Sequence, residues 1–136
     1  MNPAPLSAEE KTAYLCNAHS FNEPTARAYA ETNGHCMYCG DDVFSHWHSY
    51  SSAQVDHILP QSKYPDFYWH PQNLVLACFF CNTTKKDEDF LHQGENPQDM
   101  LSNKRETLIA RIRDHLGPEI KKRKQDFVDI KNALRR

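Results

Sequence analysis

Two Cys-x-x-Cys pairs, Cys36 and Cys39 in HCMYCG and Cys78 and Cys81 in ACFFCN, constrain this 136-residue chain more than any other feature. A Cys-x-x-Cys turn brings two sulfurs within reach of one ion, and two such turns supply the four thiolates of a closed tetrahedral zinc site. The pairs are separated by 38 residues (40–77). That is more than a zinc finger needs, so the insert is expected to carry structure of its own. Disulfides are the rival reading, and they require an oxidising compartment. The N-terminus MNPAPLSAEEK has neither the basic start nor the apolar core of a secretory signal. This favours zinc and a cytoplasmic location. Cys16, left over in SAEEKTAYLCNAH, reads as a small core residue.

Length and hydropathy bound the rest. A chain of this size is expected to form one domain with a modest core. Its apolar fraction of 39% is low, as is its mean hydropathy of −0.79. A metal staple would offset so thin a core. No apolar run approaches the length needed to span a bilayer. Charge is divided unevenly. Residues 1–103 hold 5 Lys/Arg and 13 Asp/Glu, whereas residues 104–136 hold 11 Lys/Arg and 5 Asp/Glu. The basic terminal part suits phosphate contact, or else it is a solvated helix face.

Local signals predict an α+β fold. Ser7 and Glu10 make a capping-box pattern for a helix from about Ala8. Asn22, Glu23 and Pro24 open a second helix, which Gly34 ends. Residues 41–52 show no clean period and are expected to be a strand and loop. AQVDHIL reads as a short strand stopped by Pro60, QSKYPDFYWHPQ as a loop, NLVLAC as a second strand, and CNTTKKDEDF as a helix start. Beyond Pro97, Leu101, Leu108, Ile112 and Leu116 recur at helical spacing up to Gly117. Pro118 is expected to open another helix, with Ile120, Phe127, Ile130 and Leu134 on one face. The expected layout is N-terminal helices (1–34), a zinc-stapled core (35–93) and a C-terminal helical hairpin (97–136).

Within the insert lie the residues for hydrolysis. Cutting a phosphodiester needs an activated water, stabilised charge on the phosphate and a protonated leaving group. Imidazole, with a pKa near 6.5, is a suitable base, and His57 provides one. A divalent cation can stabilise the phosphoryl and leaving oxygens, and a hard ion prefers oxygen ligands. Asp56 and Asn82 offer a carboxylate and an amide carbonyl. Adjacent residues of a strand point to opposite faces, so Asp56 and His57 serve one site only where the strand bends or ends. Lys85 and Lys86, one turn beyond Asn82, are candidates for phosphate contact. Taken singly, an Asp-His pair or an Asn after a cysteine is usually an ordinary surface or cap feature; their conjunction with the cysteine turns is what points to chemistry.

In that conjunction the chain resembles the HNH endonucleases, the ββα-metal or His-Me finger nucleases, in their zinc-stapled form. The family pattern of CxxC, DHI-x-P, NL and CxxCN-x-x-K appears here as CMYC, DHILP, NL and CFFCNTTK. The resemblance implies that His57 is the general base and Asp56 a ligand of the catalytic Mg²⁺ or Mn²⁺. It implies that Asn82 is the second ligand of that ion, and that Asn73 holds the loop bearing the base. Cys36, Cys39, Cys78 and Cys81 then hold structural Zn²⁺. The chain departs from many relatives in replacing a Gly-rich loop with KYPDFYWHP. Tyr64, Phe67, Tyr68 and Trp69 there either pack the loop or stack on bases. His46, His48 and His70 lie outside the pattern.

The expected function is metal-dependent hydrolysis of DNA, by nicking or double-strand cutting, leaving 5′-phosphate and 3′-hydroxyl ends; RNA stays open as a substrate. The alternatives are a non-catalytic zinc-dependent nucleic-acid-binding module and a nuclease toxin gated by a partner. Some small proteins of the resembled kind are effectors of bacterial anti-phage defence, often beside an ATPase. The C-terminal helices are where such a partner would dock.

Overall fold

The computed structural model describes residues 3–136. Helix α1 (Ala8–His19) begins at Ser7 with both arms of the capping box formed. The Glu10 N–H donates to Ser7 Oγ at 3.1 Å, and the Ser7 N–H donates to the Glu10 carboxylate at 3.0 Å. Helix α2 (Glu23–Glu31) is capped by the Asn22 side chain, which accepts from the Thr25 N–H at 2.9 Å. It buries Ala26, Ala28, Tyr29 and Ala30. Gly34 follows with φ +79° and the Phe44 ring against its Cα, so neither the backbone nor the space suits a larger residue.

A single bridge, His35 to Asp42, carries the chain past the first cysteine turn. The strand and loop expected over 41–52 are replaced in part by a short helix, α3 (Trp47–Ser52). It buries nothing and is held locally: His46 caps it, and the Ser51 and Ser52 hydroxyls donate back to the carbonyls of Trp47 and His48. A helix with no buried face leaves no apolar period to read.

Strands β1 (Gln54–His57) and β2 (Leu74–Ala77) form a two-stranded antiparallel sheet, with Asp56 opposite Val75 and His57 opposite Leu74. The loop between them includes two turns of 3₁₀ helix, Pro65–Phe67 and Pro71–Asn73. Helix α4 (Phe79–Lys85) follows β2, capped by Cys78. All four residues of β2 are buried. Val75 and Ala77 join the main core with Ile58, Leu59, Leu108, Ile109, Ile112 and Leu116. Leu76 points the other way, to Tyr29 and Val43, as strand alternation requires. The ββα order is therefore as expected, with helices on either flank.

The C-terminal hairpin is not. Helix α5 (Pro97–Asn103) ends at Lys104, and a single helix, α6, runs from Arg105 to Leu134 straight through Pro118. Proline costs its helix one hydrogen bond and crowds the residue before it. Here that residue is Gly117, which has no Cβ to crowd. The first half of α6 is anchored by buried Leu108, Ile109, Ile112 and Leu116. The second half does not fold back: Phe127 is 65% exposed, Ile130 58% and Leu134 80%. Pro118 itself is exposed, so Pro118→Ala is expected to restore an N–H without disturbing packing. Stability should rise by about 1–3 kcal/mol, the helix-interior cost of proline less its restraint of the unfolded chain. Thermal unfolding of the two proteins checks this, and an unchanged midpoint would argue against a continuous α6. Among the described residues no helix is long and apolar enough to cross a membrane.

Candidate active site and metal centre

The two cysteine turns meet. Sγ atoms of Cys36, Cys39, Cys78 and Cys81 all lie within 4.8 Å of one another, and no disulfide joins them. Cys39 and Cys78 are 3.7 Å apart. Tetrahedral zinc with Zn–S bonds of about 2.3 Å sets its sulfurs about 3.8 Å apart, so the cluster fits that ion. Each turn is held by backbone. In the first, the Gly40 N–H donates to the Cys36 carbonyl, and the Met37 N–H donates to Leu76 of β2. In the second, Cys78 Sγ accepts from the Cys81 N–H. Without a cation, four thiols this close cannot all ionise. Hydrogen bonding from Cys39 holds Cys36 low, while the hydrogen bond to Cys36 holds Cys81 high. A bound dication removes that conflict, because it favours the thiolate at every position. The leftover Cys16 is half-buried in α1.

The cysteine cluster sits beside the residues expected to act in hydrolysis: Tyr38, between Cys36 and Cys39, reaches Asp56 on β1. Asp56 shares a sheet face with Val75 and so turns toward α4 and the main core. Its Oδ2 accepts from the Tyr38 hydroxyl at 2.6 Å and from the Lys85 ammonium at 3.2 Å. Burial pushes its carboxyl up, and Lys85 and Tyr38 pull it back down. Oδ1 takes no hydrogen bond among the described residues, yet it is not sealed from solvent, since no buried polar side-chain atom lacks a partner. Asn82, half-buried on α4, likewise has its side-chain amide free of hydrogen bonds among the described residues. A carboxylate oxygen and an amide carbonyl suit Mg²⁺ or Mn²⁺, which keep several waters and take few protein ligands.

His57 is the last residue of β1, where the strand ends and its side chain can leave the sheet. Its Nε2 lies 3.1 Å from the Tyr68 carbonyl, and its ring 4.5 Å from the Tyr68 ring. A carbonyl only accepts, so Nε2 carries the proton and the neutral ring keeps its lone pair on Nδ1. Burial holds the imidazole below its ordinary value, partly offset by Asp56 and the Tyr68 carbonyl. The ring is thus kept neutral near pH 7.

Asn73 is fully buried and joins both sides of the loop that follows His57. Its Oδ1 accepts from the Leu59 N–H at 2.7 Å, and its Nδ2 donates to the carbonyls of Leu59 and Phe67. Asn73→Ala is expected to cost about 3 kcal/mol, because one buried N–H and two carbonyls lose partners at about 1–3 kcal/mol each, part of it recovered by water. Urea unfolding measures this; a loss below about 1 kcal/mol would mean the loop does not depend on Asn73.

Other expected site residues fall elsewhere. Lys85 does not face a phosphate: it is 1% exposed, and its ammonium donates to the His57 carbonyl at 2.9 Å besides pairing with Asp56. A lysine read from sequence as solvent-facing has become the internal counter-charge of a buried carboxylate, as burial of Asp56 demands. Lys86, the next residue, is exposed. In the aromatic loop, Tyr64 and Phe67 pack against the core and Tyr64 donates to Asp89, whereas Trp69 is 64% exposed. His46 and His70 cap local turns. With His48 they form no metal-holding group among the described residues. Sequence reasoning missed Tyr38 and the Tyr68 carbonyl. Tyr38 lies inside Cys-Met-Tyr-Cys, and only its hydroxyl, in a position where phenylalanine would fill the same space, hinted at a partner.

Comparison with known proteins agrees with this geometry. Residues 36–88 match the family model described as HNH endonuclease. Protein ea31 of Escherichia phage lambda is 30% identical over 92 residues, covering 62% of this chain and 29% of that protein. The chain thus spans under a third of the length of that relative. No solved structure matches significantly. The match to the HNH endonuclease model thus falls on the span from Cys36 to Glu88, which holds the ββα order and the four-cysteine cluster.

Proposed function

We propose that this chain is a metal-dependent endonuclease that hydrolyses DNA phosphodiester bonds, with His57 as general base. The observation that carries the reading is the hydrogen bond from His57 to the Tyr68 carbonyl. It leaves the Nδ1 lone pair as the ring's only basic atom. Nδ1 takes a proton from water as the water attacks phosphorus in line with the leaving oxygen. Asp56 Oδ1 and the Asn82 carbonyl are the groups that would hold a divalent cation, which when bound would stabilise charge on the phosphate and on the leaving oxygen. Asn73 keeps the loop and β1 in register beneath the base. Zinc in the cysteine cluster is structural, with all four positions filled by sulfur.

Phosphate contacts come from exposed groups. Lys86 is exposed at the end of α4, and Lys121, Lys122, Arg123 and Lys124 form a solvated basic run on α6. Such charges give affinity for a phosphate backbone without sequence readout. Neither an ATPase partner nor an anti-phage role is needed for this chemistry.

The test is incubation of zinc-loaded protein with supercoiled plasmid, single-stranded DNA and RNA, in EDTA, Mg²⁺ or Mn²⁺. Metal-dependent conversion of the plasmid to open circle or linear form is the expected result. A folded, zinc-loaded chain that leaves the plasmid and single-stranded DNA intact in both metals would overturn the proposal, and cleavage confined to RNA would replace its substrate.

A further inference from the structure

Resting on the nuclease reading of the site, we infer that Tyr38 is a positioning residue for the catalytic cation: its phenol claims one carboxylate oxygen of Asp56, so that only the other is offered as a ligand. The hydroxyl donates to Asp56 Oδ2 at 2.6 Å, and the Lys85 ammonium takes the same oxygen at 3.2 Å. Two donors on Oδ2 stop the carboxyl group from turning and leave Oδ1 alone for a cation. Lys85 also donates to the His57 carbonyl, so the same clamp ties the ligand to the backbone of the base. Tyr38 is 4% exposed. A carboxylate oxygen only accepts, so the phenol is the donor.

A buried tyrosine is more often a packing residue whose hydroxyl finds whatever acceptor is near. Its place in the chain argues for more. Tyr38 sits between Cys36 and Cys39, in the turn whose backbone closes through the Gly40 N–H and the Cys36 carbonyl. Zinc that fixes this turn also fixes the phenol, and the phenol fixes Asp56. Zinc bound at the cysteines would thereby steady the turn that holds Tyr38 against Asp56. Groups that orient metal ligands from behind typically change affinity about 10–100-fold when removed.

The test compares zinc-loaded wild type, Tyr38→Phe and Asp56→Ala. Mn²⁺ binding without DNA is followed by the electron paramagnetic resonance signal of the free ion, and plasmid cleavage is titrated with Mg²⁺. Tyr38→Phe is expected to keep one zinc per chain and the wild-type circular dichroism. It should bind Mn²⁺ about 10-fold or more weakly, raise the half-saturating Mg²⁺ by a similar factor, and change the rate at saturating Mg²⁺ little. Asp56→Ala should lose Mn²⁺ binding. Unchanged Mn²⁺ affinity in Tyr38→Phe, with binding lost in Asp56→Ala, would overturn this inference and spare the nuclease reading. Loss of zinc or helicity in Tyr38→Phe would overturn it too, by making the hydroxyl structural. Wild-type affinity retained in Asp56→Ala would remove Asp56 as a ligand, and the inference with it.

Discussion

His57→Ala is expected to lower the rate of plasmid cleavage by about 10²–10⁴-fold, the usual contribution of a positioned general base, with zinc content and unfolding midpoint close to wild type. The expectation of retained stability has a structural reason. His57 is half-buried at the end of β1, and its ring makes one hydrogen bond, to a loop carbonyl. The backbone around it is held by other groups. Its carbonyl accepts from Lys85, and the neighbouring Ile58 N–H donates to the Asn73 carbonyl. Removing the imidazole therefore leaves the chain in place and takes away the ring's only basic lone pair. His57→Gln would keep polarity and some donor capacity but supply no base at neutral pH, so it should be as inactive as alanine. Cleavage within about threefold of wild type in either variant would remove His57 from the mechanism.

The second large effect concerns the cysteine cluster. Stripping the metal, or replacing Cys81 by serine, is expected to abolish cooperative unfolding of the region around the sheet. Structural zinc contributes about 10–16 kcal/mol in zinc-finger peptides, against about 5–15 kcal/mol for the whole stability of a typical domain. Cys36 and Cys81 are members of the main core, buried beside Tyr38 and Val75. With the ion gone, crowded thiols compete for protons where a salt of four thiolates had been, and the turn that carries Tyr38 loses its anchor. Helix α1 keeps its own capping box away from the cluster, so far-ultraviolet circular dichroism should fall only in part. The measurement is a thermal melt before and after treatment with a strong chelator, followed by return of Zn²⁺. A chelated, metal-free protein that melts with wild-type midpoint and sharpness would show that the cluster does not hold the fold.

Much of this arrangement is legible in the residues, for reasons that can be named. Ser7 with Glu10, and Asn22 before Glu23 and Pro24, place the first two helices because caps act within one turn. The short run AQVDHIL stopped by Pro60, and the apolar run NLVLAC, place the strands. The spacing of the four cysteines and the pattern DHILP, NL, CNTTK locate the site. What escapes is set by partners far away in sequence. Pro118 reads as a helix start, because sequence weighs the missing N–H and not the relief given by Gly117 together with four buried anchors upstream. Lys85 reads as a phosphate contact, because nothing local shows that its tail crosses to Asp56, 29 positions earlier. Helix α3 escapes because hydroxyls and a histidine cap hold it in place of an apolar face. Tyr38 escapes because the turn it occupies is explained without it.

The four-cysteine clasp also has a topological meaning. Joining Cys39 to Cys78 through one ion turns the 38 residues between them into a closed ring, pinned at its base by metal and across its waist by the β1–β2 pairs. Ring closure is nearly indifferent to length: doubling a flexible segment costs only about 0.6 kcal/mol. The exposed stretch from Gln61 to Lys63, beyond the waist and short of the contacts made by Tyr64, Phe67 and Tyr68, can therefore grow or shrink while clasp, base and ligands stay where they are. It leads into the segment that borders the site through Tyr68. On the nuclease reading proposed above, changes there would alter which nucleic acid meets His57 and leave the catalytic groups in place.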